Sequence, residues 1–275
     1  MAIRFLKAVY KEDELNVRNH YHDCHQILLV TEGEAEVHLA NSVYNATRGN
    51  ILIFNRFEEH FIKITKGPYK RYVIDVSPKI DERTEVGYKL FSVLFNRPEG
   101  FNNIVDVSEH FDDFAELFGR IVKESGRADK ANGEILGLYA QEFLLRLSAC
   151  RPNLFETFED EKCEMIYKIQ KDFESNYNQD VSLEDLSKRY SISQSYLSHI
   201  FKSVTGKSVK GYLFACRIAA AKRYLANSEK RIGEIVALCG FSDCSNFSRV
   251  FKRTTGFSPV DFRRKYRDKE FVTVE

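Results

Sequence analysis

The hexapeptide FKSVTG at 201–206 is written again, nearly unchanged, as FKRTTG at 251–256. A chain that repeats a segment in this way uses one structural unit twice. The correspondence extends well beyond six residues. VSLEDLSKRYSISQSYLSHIFKSVTGKS, from Val181, aligns with KRIGEIVALCGFSDCSNFSRVFKRTTGFS, from Lys230. Leu183 matches Ile232, Leu186 matches Ile235 and Ile192 matches Phe241 at an offset of 49. Leu197 matches Phe247, Phe201 matches Phe251, Gly206 matches Gly256 and Ser208 matches Ser258 at an offset of 50, so the second copy carries one extra residue near Ser242-Asp243.

Each copy reads as helix, tight turn, helix. Ser182 with Asp185 three residues on is a near-match to a capping box, and Leu183, Leu186 and Tyr190 are expected to face inward. Ile192 in one copy and Gly240-Phe241 in the other make the turn. Ser193 caps the second helix, whose apolar stripe is Leu197, Ile200, Phe201 and Val204. Phe247, Val250 and Phe251 are its counterpart. Gly206 and Gly256 stand where a helix ends in a left-handed residue. The shared hexapeptide is therefore scaffold: Phe fills the core, Lys stays solvated and Gly stops the helix.

The residues left outside the stripes are small and polar at the start of each second helix. They are Gln194, Ser195, Ser198 and His199 in one copy, and Cys244, Ser245, Asn246, Ser248 and Arg249 in the other. In a helix-turn-helix this N-terminal half enters the major groove. Small side chains there let the backbone approach, and Gln, Asn and Arg can bond base edges. The charge distribution agrees. The net charge is +1 over 275 residues, but 176–275 holds 18 Lys+Arg against 10 Asp+Glu, a balance of +8, leaving 23 against 30 for the rest. A basic module inside a near-neutral chain points to a polyanion.

On these residues the C-terminal region, 176–267, resembles the tandem helix-turn-helix domain of the arabinose-regulator (AraC/XylS) family of bacterial transcription factors. LEDLS…SISQSYLSHIFKSVTGKS, the linking helix RIAAAKRYLANS, and IGEIVALCGFSDCSNFSRVFKRTTGFSPVDFRRKY carry the likeness. The resemblance implies that a long helix, supplied by VKGYLFACRIAAAKRYL with Ala219, Ala220 and Ala221, holds two reading heads apart. By position it implies base-edge contacts from Ser195, Ser198, His199, Cys244, Ser245, Ser248 and Arg249, flanked by Gln194 and Asn246. Cys244 is unusual for a reading position. Lys202, Lys252, Arg253, Arg263 and Arg264 would add salt-sensitive phosphate attraction. The implied partners are double-stranded DNA, RNA polymerase and a second copy of the chain.

The rest of the chain reads differently. Residues 15–77 show strand patterning: Ala35, Val37 and Leu39 alternate with Glu34, Glu36 and His38. Asn41-Ser42 and Gly49-Asn50 are candidate turns, and ILIFN, FIKIT and RYVIDVS continue the pattern as an antiparallel sandwich or small barrel. Residues 78–106, with NRPEG, read as mixed and looped. From 107 the period becomes helical. Phe111, Phe114, Leu117, Phe118 and Ile121 form one stripe, and Ile135, Leu138, Tyr139, Phe143, Leu144 and Leu147 a second, suited either to core or to a dimer interface. RPNLFETFEDE reads as an interdomain linker.

The expected organisation is thus α+β. An antiparallel β barrel occupies 1–106, a helical dimerisation segment 107–150, a linker region 151–175 and an all-α domain with two helix-turn-helix motifs joined by a linker helix 176–275. No apolar run approaches the ~20 residues of a membrane span, and the N-terminus has no signal-peptide pattern. Six scattered cysteines suggest reduced thiols in a cytoplasm.

NHYHDCHQILLVTEGE and RGNILIFNRFEEH resemble a cupin-type sensor domain. His20-x-His22, Gln26 and Gly33 match its first motif, and Gly49 with His60 its second. Gln26 stands where metal-binding cupins have a carboxylate, and Asn55 and Phe57 replace the usual Pro and Gly. The resemblance implies a pocket for a small effector, a sugar or metabolite, lined by His20, His22, Gln26, His60 and Tyr72. Clustered imidazoles suit a transition metal, but these departures make metal ligation by His20, His22 and His60 the lesser reading, and no cofactor is expected. The alternative function is a metal-dependent cupin enzyme, an oxygenase or sugar isomerase, with a helical appendage. The chain contains no Ser-His-Asp order and no Walker-type loop, so no catalytic residues are assigned.

Overall fold

A computed structural model describes residues 5–13, 17–39, 42–77, 93–94, 103–127, 132–155 and 161–267. The expected loop around NRPEG and the turn residue Asn41 lie outside them. The chain divides into two compact units at Cys163/Glu164, and no helix among the described residues is long and apolar enough to cross a membrane.

The first unit is built on strands β1 (Phe5–Asp13), β2 (Val17–His20), β3 (His25–Leu39), β4 (Ser42–Ala46), β5 (Asn50–Phe54), β6 (His60–Val76) and β7 (Ile104–Asp106). Their order is β1-β6-β3-β5-β7, with β2 added on β6 and β4 on β3, and every described pairing is antiparallel. FIKIT and RYVIDVS belong to one strand rather than two. β6 and β3 are long enough to serve two sets of neighbours: the first half of β6 pairs with β2 and its second half with β1.

The register between β3 and β6 shifts three times between Val30 and Ala35. Gly33 sits there at φ 81°, and a side chain on it would collide with the Pro68 carbonyl. The sheet bends at such shifts. Leu28 and Val30 before the bend and Ala35, Val37 and Leu39 after it then share one buried core with Leu52, Phe54, Ile62, Tyr69 and Val73.

Helices α1 (Phe111–Ser125) and α2 (Asn132–Cys150) follow. Phe114, Leu117, Phe118 and Ile121 of α1 are buried as their spacing predicts. α1 packs on the sheet face opposite the core, where Phe118 lies 6.0 Å from Tyr72. Phe143 of α2 stands 6.1 Å from Phe114 and 5.8 Å from Phe118. Arg120 Nη2 donates to both carboxylate oxygens of Glu142, at 2.8 and 3.0 Å, across the pair. The buried stripe of α2 is Leu136, Ala140, Phe143, Leu144 and Leu147, while Leu138 is 64 % exposed. The expected Ile135–Leu138–Tyr139 edge is one position out of phase, because Ala140 rather than a larger residue faces the packed side.

The region expected as a linker contains structure. Pro152–Leu154 is a 3-10 turn, and Glu161–Asn176 is helix α3. From Glu164 this helix belongs to the second unit. Ile166, Ile169 and Phe173 recur at helical spacing and are fully buried, so the segment is held by its own apolar face.

The second unit continues with α4 (Leu183–Arg189), α5 (Gln194–Thr205), α6 (Val209–Asn227), α7 (Ile232–Leu238), α8 (Cys244–Thr255) and α9 (Pro259–Tyr266). α4 with α5, and α7 with α8, are the two copies of the repeat. α6 runs between them with 12 of its 19 residues buried, which marks a helix packed on more than one side. Ile218, Ala220, Ala221 and Leu225 of α6 share a core with Ile235, Val236, Phe247, Phe251 and Phe262. Phe201 meets Tyr212 edge-on at 5.6 Å, which ties the first copy to the same helix.

Candidate nucleic-acid interface and imidazole cluster

The two second helices of the repeat begin alike. The Ser193 side chain accepts from the Tyr196 amide at 3.2 Å. In the other copy Asp243 accepts from the Ser245 amide at 3.2 Å and from the Asn246 amide at 2.5 Å. Ser193 and Asp243 are equivalent caps, so the extra residue of the second copy is Ser242, between Phe241 and its cap. Both helices stop at glycines in the left-handed region, Gly206 at φ 72° and Gly256 at φ 77°.

The buried side of each second helix is the repeated one: Leu197, Phe201 and Thr205 in α5, and Phe247, Phe251 and Thr255 in α8. The threonines do more than the sequence reading assigned to the hexapeptide. Thr205 Oγ1 donates to the Phe201 carbonyl at 2.7 Å and accepts from the Lys207 amide at 3.2 Å. Thr255 Oγ1 donates to the Phe251 carbonyl at 2.8 Å and accepts from the Phe257 amide at 3.3 Å. Its presence at the fifth position of both hexapeptides was the available signal. Ser208 and Ser258 then cap the next helices, accepting at 3.1 Å from the Gly211 and Asp261 amides.

The outer side carries the candidate readers. Gln194, Ser195, Ser198, His199 and Lys202 on α5 are exposed, as are Cys244, Ser245, Asn246, Arg249 and Lys252 on α8, while Ser248 is half-buried. Tyr196, at the position of Asn246, is 40 % exposed and joins this face. Arg249 Nη2 donates to Asn246 Oδ1 at 3.1 Å, so the one exposed guanidinium of the α8 first turns is already steered along the helix. No Lys or Arg occupies the matching first two turns of α5. The two heads thus share a frame and differ in the chemistry they present.

In the first unit, His20, His22 and His60 converge. Their nearest ligand nitrogens lie within 4.8 Å of one another, and His60 is buried. Strand pairing puts His20 directly opposite His60. His60 stacks flat on Phe54, centroids 4.0 Å apart at 2°. Its Nδ1 lies 3.0 Å from the Glu58 carbonyl. A carbonyl only accepts, so Nδ1 carries the proton and Nε2 keeps its lone pair. Burial, then His20, pushes the His60 pKa down to about 3. Three imidazoles so arranged could hold a divalent transition metal. The fourth position does not complete the set: Gln26 is an amide, and its Nε2 donates to Asp75 Oδ1 at 2.7 Å.

Tyr72 is not part of this cluster. It is 4.8 Å from Tyr10 and 6.0 Å from Phe118, on the face covered by α1. Alternation along β6 sends its neighbours Arg71 and Val73 to the other side. The polar residues that do face inward beside Gln26 are Tyr69, Arg71 and Asp75, which are buried. The period of two in YKRYVIDV held that information.

Comparison with known proteins agrees with both halves. An AraC-like ligand binding domain matches residues 10–143, and a helix-turn-helix domain matches residues 186–265. The HTH-type transcriptional activator RhaR of Enterobacter sp. (strain 638) is 24 % identical over 267 residues, covering 97 % of this chain and 92 % of that protein. RhaS of Yersinia pestis bv. Antiqua (strain Angola) is 23 % identical over 263 residues, covering 89 % and 88 %. A 1.65 Å structure of ToxT from Vibrio cholerae superposes with a TM-score of 0.58 at 17 % identity, covering 97 % of this chain and 99 % of that one, a likeness of fold. With an AraC-like ligand-binding domain ahead of a doubled helix-turn-helix, the chain belongs to the AraC family of DNA-binding transcriptional regulators.

Proposed function

We propose that the protein binds a specific duplex through the first turns of α5 and α8 and switches transcription when a small molecule occupies its N-terminal unit. The observation that supports this most is the duplication itself. Two capped helices present polar side chains outward, from Gln194 to His199 and from Cys244 to Arg249, on equivalent buried anchors. The relatives RhaR and RhaS are named activators, and activation by recruiting RNA polymerase in the cytoplasm is the reading taken here. A homodimer is the working assembly.

The effector would lie inside the folded sheet, near His20, His22, Gln26 and His60. Ligand must favour one of two states of the protein to have any effect on DNA. The metal-bearing alternative rests on the three imidazoles, and elemental analysis of purified protein separates it from a purely organic effector.

The test is selection from a random duplex pool with the full chain. A defined motif should emerge, with affinity falling steeply as salt rises. Recovery of no motif, with or without candidate effectors, would overturn the proposal.

A further inference from the structure

The inner face of the β1–β6 pair carries an unusual set of charges. Strand register aligns Lys7 with Asp75, Val9 with Val73, Lys11 with Arg71 and Asp13 with Tyr69. Directly opposed residues point to the same side, and Tyr69 and Val73 belong to the enclosed core. Arg71 is therefore an inward guanidinium, 4 % exposed. Its Nη2 donates to Asp13 Oδ2 at 2.6 Å. Its Nε and Nη1 are buried and have no acceptor among the described residues, and the buried Tyr69 hydroxyl has no partner there either. The guanidinium carbon lies 5.0 Å from the Tyr69 ring centre.

Buried polar groups in folded proteins are paired, and leaving a charged donor unpaired is costly. What is unmatched here is one-sided. Arg71 supplies donors only. Burial pushes Tyr69 up to about 12, so its hydroxyl also keeps a proton to give. The missing partner is then a group rich in acceptors. Arg71 is cationic and Asp13 engages only its Nη2, so an anionic acceptor suits the two remaining nitrogens.

We propose that the effector is a small organic acid whose carboxylate is held by Arg71 and Tyr69. This rests on the effector-sensing reading given above and adds the chemical class of the ligand. The aliphatic side chains of Val9, Leu28, Val30 and Val73 around the two donors favour an acid with an apolar body over a polyol. Guanidinium and carboxylate match as planar forks, and Asp13 shares the same guanidinium, so it acts as an internal competitor.

The experiment is a calorimetric and thermal-shift screen of the full chain. The probes are straight-chain monocarboxylates from acetate to decanoate, the corresponding primary amides and a set of neutral aldohexoses. At least one acid should bind while its amide does not. Tyr69→Phe should weaken that acid several-fold and Arg71→Gln at least tenfold. Asp13→Asn should tighten it several-fold by freeing Nη2, a gain that a misfolded variant cannot produce. An amide or hexose binding as well as any acid would overturn the proposal while leaving effector sensing intact. So would an acid indifferent to Arg71→Gln and Asp13→Asn. No binding by any of the three classes, together with no effect of any of them on DNA affinity, would count against both readings.

Discussion

Arg217 Nε donates to the Tyr177 carbonyl at 2.7 Å. Its Nη2 reaches the Gln179 carbonyl at 3.0 Å and the Asp180 carboxylate at 2.9 Å. One guanidinium on α6 thereby closes the turn that joins α3 to the first helix-turn-helix. The Asp180 side chain is fully exposed, so the carbonyl bonds carry the effect. Arg217→Ala should cost about 2–3 kcal/mol in urea unfolding, the range for hydrogen bonds to a charged donor. Arg217→Lys should recover only part, since an ammonium cannot fork. Asp180→Asn should change stability by less than about 0.5 kcal/mol.

Gly240 and Ser191 occupy the same turn in the two copies, both with positive φ, 75° and 55°. A Cβ on Gly240 would stand 2.7 Å from the Asn178 carbonyl oxygen and 2.9 Å from the Asn178 Cα. Gly240→Ala therefore adds a backbone collision to the left-handed penalty of about 1–2 kcal/mol. Gly256, at φ 77° with open space around it, incurs the penalty only. Melting temperatures should rank wild type above Gly256→Ala above Gly240→Ala. Ser191→Gly should raise the melting temperature, because the strain it relieves exceeds what glycine loses in chain entropy.

His60 gives the first unit a pH signature. Its folded pKa of about 3 lies below the ordinary 6.5, so the unfolded chain binds the proton more readily. The stabilisation is complete above pH 6.5 and is lost as the pH falls from there toward 3. At pH 5 the loss is about 2 kcal/mol. His60→Gln should flatten the dependence of melting temperature on pH between 6.5 and 5. An unchanged slope would mean that another group is responsible.

Arg249 and Lys252 separate reading from attraction. With a selected duplex in hand, Arg249→Ala should cost about 1–3 kcal/mol and relax the preference at one or two base pairs. Lys252→Ala should weaken all duplexes alike and lower the slope of log affinity against log salt by about one. Asn246→Ala, which releases the Arg249 guanidinium, should alter base preference without changing the salt slope.

The second unit was legible because its pattern occurs twice. Each apolar anchor, cap and stop could be checked against its partner fifty residues away. The roles of Thr205 and Thr255 were missed because a threonine inside a helix ordinarily means a solvated face, and the bond that holds each one reaches a carbonyl in the preceding turn and an amide beyond the glycine. The first unit was legible as strands, since Ala35, Val37 and Leu39 alternate as they should. Its site was only half legible. His20, His22 and His60 meet because β2 pairs with the start of β6, a long-range register that no local pattern encodes. Tyr72 was misplaced by one residue of parity, which in a strand means the opposite face. Helix α3 was hidden by the polar, proline-bearing stretch that precedes it.

The doubly packed α6 has a consequence for the target. A helix of 19 residues is a rod of about 28 Å, and both recognition elements are seated on it through buried side chains rather than tethered by loops. On the function proposed above, the protein would work as a caliper with a fixed opening, and its operator would place two unlike half-sites at one separation and one rotational phase. Inserting about five base pairs, half of a helical turn, would carry the second half-site to the far side of the duplex and reduce binding to that of a lone head.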